Sequence, residues 1–301
     1  MIGRLLNELS YLGSILCSNR DELLRRPTLD AHFHNFEAKT EDGSVEGNIL
    51  SGRDILAGGT WFGVTRTGKV ALLTNISEPP VKACKFSRGS LTSFFLLSDS
   101  FEPLEGEVRR IIPQEAFAGF NLLLFKPTAP QANGQLHYDS LLVTNHGAGG
   151  SIQCRPLSAK ERICGCVSNA IDGDNAVWPK VEHVTLDFAA ILQTLSSDTT
   201  ENELVEQMFN ILNWHPPEHI TDRSQLRNTV HVLPFPITVE GAPQGDNRYG
   251  TRLSTILLIK KTGDALFIER DIWTLADGEV IRVDPRTQRV FRFHVKQPIK
   301  P

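Results

Sequence analysis

Four consecutive polar residues near the amino terminus are the groups best suited to binding a ligand. Asn19-Arg20-Asp21-Glu22 comes directly after the apolar run Tyr11 to Cys17, so the pattern predicts a buried strand that emerges into a polar turn. A strand backbone aims such side chains well, and a turn lets them reach solvent. An amide, a cation and two carboxylates at that point suit the mouth of a ligand site. The alternative is an Asx-type turn whose charges neutralise one another.

Five further blocks follow along the chain. Together with Asn19 to Glu22, their order and spacing resemble the NRDE family, which includes the transport and Golgi organisation proteins. The resemblance extends over nearly the whole chain and is weaker between the blocks. The blocks are Gly59-Thr60-Trp61-Phe62-Gly63-Val64, Ala71-Leu72-Leu73-Thr74-Asn75, Gly119-Phe120-Asn121-Leu122-Leu123, Val167-Ser168-Asn169-Ala170 and Tyr249-Gly250-Thr251-Arg252.

The resemblance implies a fold. Members of this family look like N-terminal nucleophile hydrolases, which implies an α-β-β-α sandwich of stacked antiparallel sheets, and one NRDE-family domain over residues 1–301. The apolar pattern leads independently to an α+β class, because strands group at both ends of the chain with helices between them. It predicts hairpins at Thr60–Val64 with Lys69–Thr74 and at Leu253–Lys260 with Ala265–Glu269.

The remaining predicted elements are one more pair of strands, a closing strand and several helices. The first nine residues are expected to form a short helix. The segment from Trp214 to Gly245 holds five prolines and is expected to wrap the surface or cover a cleft. The other predicted strands are Asn121–Phe125, Leu141–Thr144 and Val290–Lys296, and the other predicted helices are Leu91–Leu97, Leu104–Ile112, Thr185–Leu195 and Glu201–Asn213.

The resemblance also implies chemistry, in which the amine and side chain of residue two form the reacting centre. Asp21 would then orient that amine, and Arg20 would be its partner or a substrate clamp. Family members typically begin Met-Cys, whereas this sequence begins Met1-Ile2, and neither residue can attack a carbonyl. Cys17 is expected to be a buried structural residue instead of a substitute nucleophile.

Two hypotheses therefore stay open, and no catalytic residue is assigned. The favoured one is a non-enzymatic protein of secretion and Golgi organisation that binds or transports haem or an acyl-type lipid. The alternative is an amide or thioester hydrolase of the N-terminal nucleophile kind, whose cysteine this sequence does not show.

The predicted ligand is a small anionic amphipathic molecule, either haem carried as a cargo or an acyl-coenzyme A. Arginine forks match carboxylate and phosphate groups. Arg20, Asp21 and Arg252 are expected to converge on one pocket, with Trp61 against the apolar part of the ligand. The predicted ligand-binding residues are Asn19, Arg20, Asp21, Glu22, Trp61, Asn75, Asn169 and Arg252.

Composition limits the other possibilities. A net charge of -4 gives no electrostatic reason to bind nucleic acid. The longest apolar run, Leu253 to Ile259, is too short to span a bilayer, so we expect a cytoplasmic protein that is not integral to a membrane, with association with the Golgi or mitochondria left open. Neither Cys164-Gly165-Cys166 nor His32-Phe33-His34 has further ligands nearby, so no metal is predicted, and the two histidines are expected to lie in an exposed loop.

Overall fold

The computed structural model describes residues 2–5, 12–36, 47–79, 84–113, 117–128, 134–174, 176–238 and 247–296. The strands in these ranges are β1 (Ile2–Leu5), β2 (Leu12–Leu23), β3 (Thr28–His34), β4 (Ile49–Asp54), β5 (Phe62–Thr65), β6 (Val70–Asn75), β7 (Phe120–Pro127), β8 (Tyr138–Thr144), β9 (Gln153–Pro156), β10 (Gly165–Cys166), β11 (Phe235–Pro236), β12 (Arg248–Lys260), β13 (Asp264–Asp271), β14 (Trp273–Ala276), β15 (Glu279–Arg282) and β16 (Gln288–His294). The helices are α1 (Gly89–Leu97), α2 (Leu104–Ile111), α3 (Ala159–Ile163), α4 (Pro179–Thr194), α5 (Glu201–Leu212) and the 3-10 helix Arg223–Asn228.

The strands build two large antiparallel sheets. In the first sheet the order is β10-β1-β2-β12-β13-β16, and β11 pairs with β12. In the second sheet the strands follow chain order from β3 to β9. The long strands β2 and β12, which are far apart in sequence, are direct neighbours at the centre of the first sheet, with Asp21 opposite Thr251.

Three apolar clusters show how the layers stack. In the first cluster, α4 and α5 cover the outer face of the first sheet, and Phe188 and Phe209 of these helices share the cluster with Ile15 of β2. The second cluster fills the space between the sheets, where Phe62 meets Phe267 with ring centroids 5.9 Å apart. In the third cluster α1 and α2 pack on the outer face of the second sheet. The predicted α-β-β-α sandwich is therefore confirmed.

Most of the predicted elements are confirmed with small shifts at their ends. The hairpins β5–β6 and β12–β13 form with the predicted turns, where Gly68 and Gly263 have φ of 89° and 98°, a region that favours glycine. The other predicted strands correspond to β7, β8 and β16, and α1, α2 and α5 match predicted helices. Helix α4 begins at Pro179, six residues before the predicted start, because proline fits the first turn of a helix.

Three expectations were wrong. Asn19 to Glu22 do not form a turn: all four residues lie within β2, because the long partner strand β12 continues the backbone pairing as far as Leu23. Residues Ile2–Leu5 form a strand and not a helix. Pairing with β2 and β10 satisfies their backbone hydrogen-bonding groups, whereas a helix as short as the predicted one is only marginally stable. The two histidines lie in β3 and not in an exposed loop. His34 is 7% exposed, with Nε2 2.8 Å from Ser51 Oγ, and burial lowers its pKa to about 3, aided by His32 and Arg53. No helix in the described ranges is both long and apolar enough to cross a membrane.

Candidate functional site

A cleft of about 760 Å³ opens beside the second half of β2, at Ser18 to Glu22. Its walls come from the end of β2, the loop after β6, the start of α1, the segment after β10, the first turns of α4 and the 3-10 helix. Seven of the eight predicted ligand-binding residues line it: Asn19, Arg20, Asp21, Glu22, Trp61, Asn75 and Asn169. The eighth, Arg252, is not among the lining residues. Ligand binding by these residues stays a prediction.

Arg20 is held on the side of β2 that faces the second sheet. Its guanidinium lies over the ring of Trp61, with Cζ 3.9 Å from the ring centroid. Nη1 donates to Thr28 Oγ1 at 2.7 Å, and Nη2 is 3.6 Å from Asp54 Oδ2. Burial, followed by the charge of Arg252, lowers the pKa of Arg20 to about 10, so the side chain is charged at neutral pH.

The position of Trp61 depends on a glycine in the neighbouring strand. A Cβ atom added at Gly52 in β4 would lie 2.7 Å from the end of the Trp61 ring, which is closer than side chains approach. Glycine is therefore required there for the ring to lie beneath Arg20. Any side chain at residue 52 would displace this wall of the cleft.

Arg252 lies next to Arg20 but outside the lining of the cleft. It occupies an irregularity in the pairing of β12 with β2, and its Nη1 donates to the carbonyl of Arg26 and to Thr28 Oγ1 at 3.0 Å. Arg20 and Arg252 thus share the Thr28 hydroxyl, although Arg252 does not line the cleft. Asp21 does not join them, because successive residues of a strand face opposite sides of the sheet.

Asp21 instead belongs to a second group on the other side of β2. Its Oδ1 accepts a hydrogen bond from Thr251 Oγ1 at 2.6 Å, and its backbone carbonyl accepts one from Tyr249 Oη at 3.2 Å. Burial raises the pKa of Asp21, and this rise is opposed by the charge of Lys180 and by the Thr251 hydroxyl. Asp21 and Lys180 are therefore coupled: the charge of each depends on the other.

Asn19 holds elements together with its amide. Nδ2 donates to the carbonyls of Leu212 at 2.8 Å and Val230 at 3.0 Å, while Oδ1 accepts from Ser254 Oγ at 2.6 Å. The side chain thereby ties the end of α5 and the segment after it to the first sheet. The two bonds from Nδ2 use both of the amide's donors, and the third bond uses its oxygen as an acceptor.

The segment after β10 is fixed by amide side chains. Asn121 Nδ2 donates to the carbonyls of Ser168 and Ala170, and Asn169 Nδ2 donates to the carbonyl of Asn75 at 2.7 Å. Asn169 Oδ1 is left to accept from Lys180 Nζ at 3.3 Å and from Ser168 Oγ. The segment that carries Asn169 is therefore anchored to the second sheet on one side and to α4 on the other.

The glycines before Trp61 allow close packing of backbone. A Cβ atom at Gly59 would lie 2.3 Å from the backbone of Gly89 at the start of α1, and Thr60 N donates to Gly89 O at 3.3 Å. Glycine at residue 59 therefore lets α1 begin against this loop. The result places Ser87, Arg88 and Gly89 in the cleft wall.

Sequence reasoning missed several lining residues, including Cys166 and four charged residues outside the family blocks: Glu78, Arg88, Lys180 and Arg223. Lys180 was missed because the start of α4 was placed too late; the pair Trp178-Pro179 would have indicated it. Arg88 and Arg223 lie where no pattern in the sequence connects them with β2.

The cleft combines charge with an apolar surface. Among the described residues that line it, five are cations and four are acids, so the balance is slightly positive in an acidic protein. The cations are Arg20, Arg26, Arg88, Lys180 and Arg223, and the large apolar residues include Trp61, Leu73, Ile76, Val181, Val184, Leu212, Leu226 and Val230. Such a surface suits a ligand with an anionic head and an apolar body.

Comparison with known proteins gives consistent matches over the chain's length. A family model described as Transport and Golgi organisation 2 matches residues 11–274. The Transport and Golgi organization 2 homolog of Mus musculus is 26% identical over 264 residues, covering 86% of each chain. The Homo sapiens homolog is 26% identical over 279 residues, covering 91% of this chain and 90% of that protein.

Among solved structures, a Caenorhabditis elegans N-acylethanolamine-hydrolyzing acid amidase ortholog covers 85% of this chain and 91% of its own, with 10% identity and a TM-score of 0.44. That likeness is too weak to support a conclusion about this chain.

Proposed function

Because this chain belongs to the Transport and Golgi organisation 2 family, we propose that it serves protein secretion and Golgi organisation by binding a small anionic amphipathic ligand in the cleft around Arg20 and Trp61. Haem, as a cargo, and an acyl-coenzyme A are the two ligands with the required chemistry. Both carry anionic groups on an apolar body. The family membership supports the transport role, and the composition of the cleft supports the ligand class.

The observation that carries the proposal is that cationic and apolar side chains line the same cavity. Its volume of about 760 Å³ lies within the range of roughly 300–1,000 Å³ that is typical of small-molecule sites. Arg20 and Arg26 are both held by Asp54, at 3.6 Å and 2.6 Å, and Arg26 also pairs with Glu22 at 3.6 Å, so two guanidinium groups are fixed at this end of the cleft. Arg223 lies over the Tyr249 ring at 5.5 Å and is exposed, so it can move to meet a ligand.

Titration with haem and with a non-hydrolysable acyl-coenzyme A analogue tests the proposal. Arg223→Gln should weaken binding about 10- to 100-fold, because a charge-assisted hydrogen bond contributes about 1.5–3 kcal/mol. Arg252→Lys should weaken it by a smaller factor, since Arg252 acts by holding the Arg26 carbonyl and Thr28. Arg286→Gln is the matched control, because its side chain is 90% exposed and pairs with Asp284.

The outcomes are distinct. Wild-type protein that binds neither ligand would exclude the proposed ligand class. Binding that Arg223→Gln and Arg286→Gln change equally would place the ligand outside this cleft.

A further inference from the structure

A thiol, an amine and a carboxyl lie together at the α4 side of the cleft. Cys166 in β10, Lys180 in α4 and Asp21 in β2 all line it. Lys180 is only 7% exposed, yet its Nζ carries three donors and has Asn169 Oδ1 at 3.3 Å. Helix α4, which carries Lys180, packs against β10, which carries Cys166. The charges of Asp21 and Cys166 both act on the Lys180 amine.

Their surroundings prepare Lys180 to exchange a proton. Burial lowers the pKa of the Lys180 amine, while Asp21 and Cys166 act in the opposite direction. A lowered pKa makes the neutral form of an amine more accessible, and a neutral amine can take the proton of a thiol and return it later. A thiol becomes nucleophilic when it loses that proton.

Cys166 differs from the other cysteines in its access to the cleft. All five cysteines lie in described residues, and Cys166 is the one that lines it. Cys17 is fully buried in the cluster beneath α4 and α5, and Cys84 is exposed. Cys164, two residues before Cys166, is half-buried with its thiol toward the Thr185 carbonyl at 3.5 Å.

We propose that Cys166 accepts the acyl group of an acyl thioester bound in the cleft, with Lys180 as the proton carrier. This inference rests on the proposed function in its acyl-coenzyme A form. The Cys166 thiol proton passes to the Lys180 amine as Sγ attacks the thioester carbonyl. The new Sγ–carbon bond forms, the bond from that carbon to the coenzyme A sulfur breaks, and the Lys180 ammonium protonates the departing thiolate.

The step balances without a further reactant. One thioester and one thiol become another thioester and another thiol, so the energies of the bonds made and broken are similar. An excess of the acyl donor should therefore drive the reaction toward acylated protein.

Mass spectrometry of the intact protein tests the proposal directly. The Cys84→Ser variant, which lacks the exposed thiol, is incubated with excess octanoyl-coenzyme A. We expect one octanoyl group per chain, mapped by peptide analysis to Cys166 and removed by neutral hydroxylamine, which cleaves thioesters and leaves amides. A further Cys166→Ser change should abolish the adduct, and Cys164→Ser, the matched control, should leave it unchanged.

Lys180→Arg tests the proton transfer, because arginine keeps the positive charge and does not give up a proton. The rate of adduct formation should fall on the order of 100-fold. The rate is measured at saturating acyl donor, and titration with a non-reactive thioether analogue gives the donor concentration that each protein requires. An unchanged rate would overturn the role of Lys180.

The same titration separates this inference from the proposed function. An analogue that binds Cys84→Ser without any octanoyl adduct from the thioester overturns the acyl transfer and leaves ligand binding intact. Absence of both binding and adduct overturns both. An adduct at another cysteine, or a hydroxylamine-resistant one on Lys180, also overturns the inference. If Cys166→Ser does not bind the analogue, the peptide map of the Cys84→Ser adduct decides the site.

Discussion

Replacement of Glu107 by glutamine is expected to destabilise the fold by about 3–5 kcal/mol, the range measured when one partner of a buried ion pair is removed. Glu107 in α2 is fully buried between two lysines. Oε1 is 2.5 Å from Lys69 Nζ and Oε2 is 2.5 Å from Lys126 Nζ. Burial raises the pKa of Glu107, but the hydrogen bonds from Lys126 and Lys69 outweigh it and lower the pKa overall. The group is therefore a carboxylate at neutral pH.

The other contacts of the lysines place the expected value near 3 kcal/mol, the lower end of that range. Lys69 Nζ also donates to the carbonyls of Ser98 and Phe95, and it lies 4.6 Å from the Phe95 ring centroid. Lys126 Nζ also donates hydrogen bonds to the carbonyls of Ser100 and Glu102, which the substitution leaves in place. Glutamine retains one oxygen to accept from a lysine and loses the charge, so the buried Lys69 and the partly buried Lys126 are left facing each other across a neutral amide.

Urea unfolding at pH 7, followed by tryptophan fluorescence, measures the change. Glu105→Gln is the matched control on the same helix: Glu105 pairs with Arg109 at 2.6 Å, and both side chains are more than half exposed. An exposed pair of this kind contributes about 0.5 kcal/mol or less. Equal losses in the two variants would refute the reasoning that burial makes the Glu107 interactions strong.

The local elements of the fold could be predicted from the sequence because their signals are local. The turn signal at Thr65 to Gly68 between two β-rich runs predicts the first hairpin, and the acids in the first turn of α5 predict the start of that helix. Each of these signals comes from residues close together in the sequence. The pairing of β2 with β12 brings together residues more than two hundred positions apart, and no pattern within either strand specifies that partner. The register of Asp21 with Thr251 therefore came only from the structure.

The candidate site divides in the same way. The apolar run before Asn19 correctly indicated β2, but the turn expected at Asn19 to Glu22 does not form, because pairing with the distant strand β12 extends β2 to Leu23. The direction of each side chain depends on the partner strands. Asn19 was predicted to bind a ligand and makes hydrogen bonds to Leu212, Val230 and Ser254. Lys180 was not predicted, because its nearness to Asp21 depends on how α4 packs on the first sheet.

Two further predictions concern pH, and both use unfolding free energies measured across a pH series. Glu161 accepts from both Nη atoms of Arg155, whose hydrogen bonds lower its pKa to about 2. Its folded pKa lies below the ordinary value, so Glu161→Gln should lose about 1–2 kcal/mol above pH 4.5, after a discount for partial exposure, and the deficit should vanish as the pH falls toward 2. The side chains of Glu161 and Glu203 cap the first turns of α3 and α5, and Glu203→Gln should show a smaller deficit because Glu203 is exposed. His231 Nε2 accepts from Trp273 Nε1 at 2.7 Å, and burial, with Arg282 and His215, lowers its pKa to about 4. Between pH 6.5 and 4 the unfolded chain takes up a proton that folded His231 does not, so His231 should lower stability by up to about 1.4 kcal/mol per pH unit as the pH falls. His231→Gln should flatten that slope and the exposed His219→Gln should not; parallel slopes for wild type and His231→Gln would show that Nε2 is not held as an acceptor.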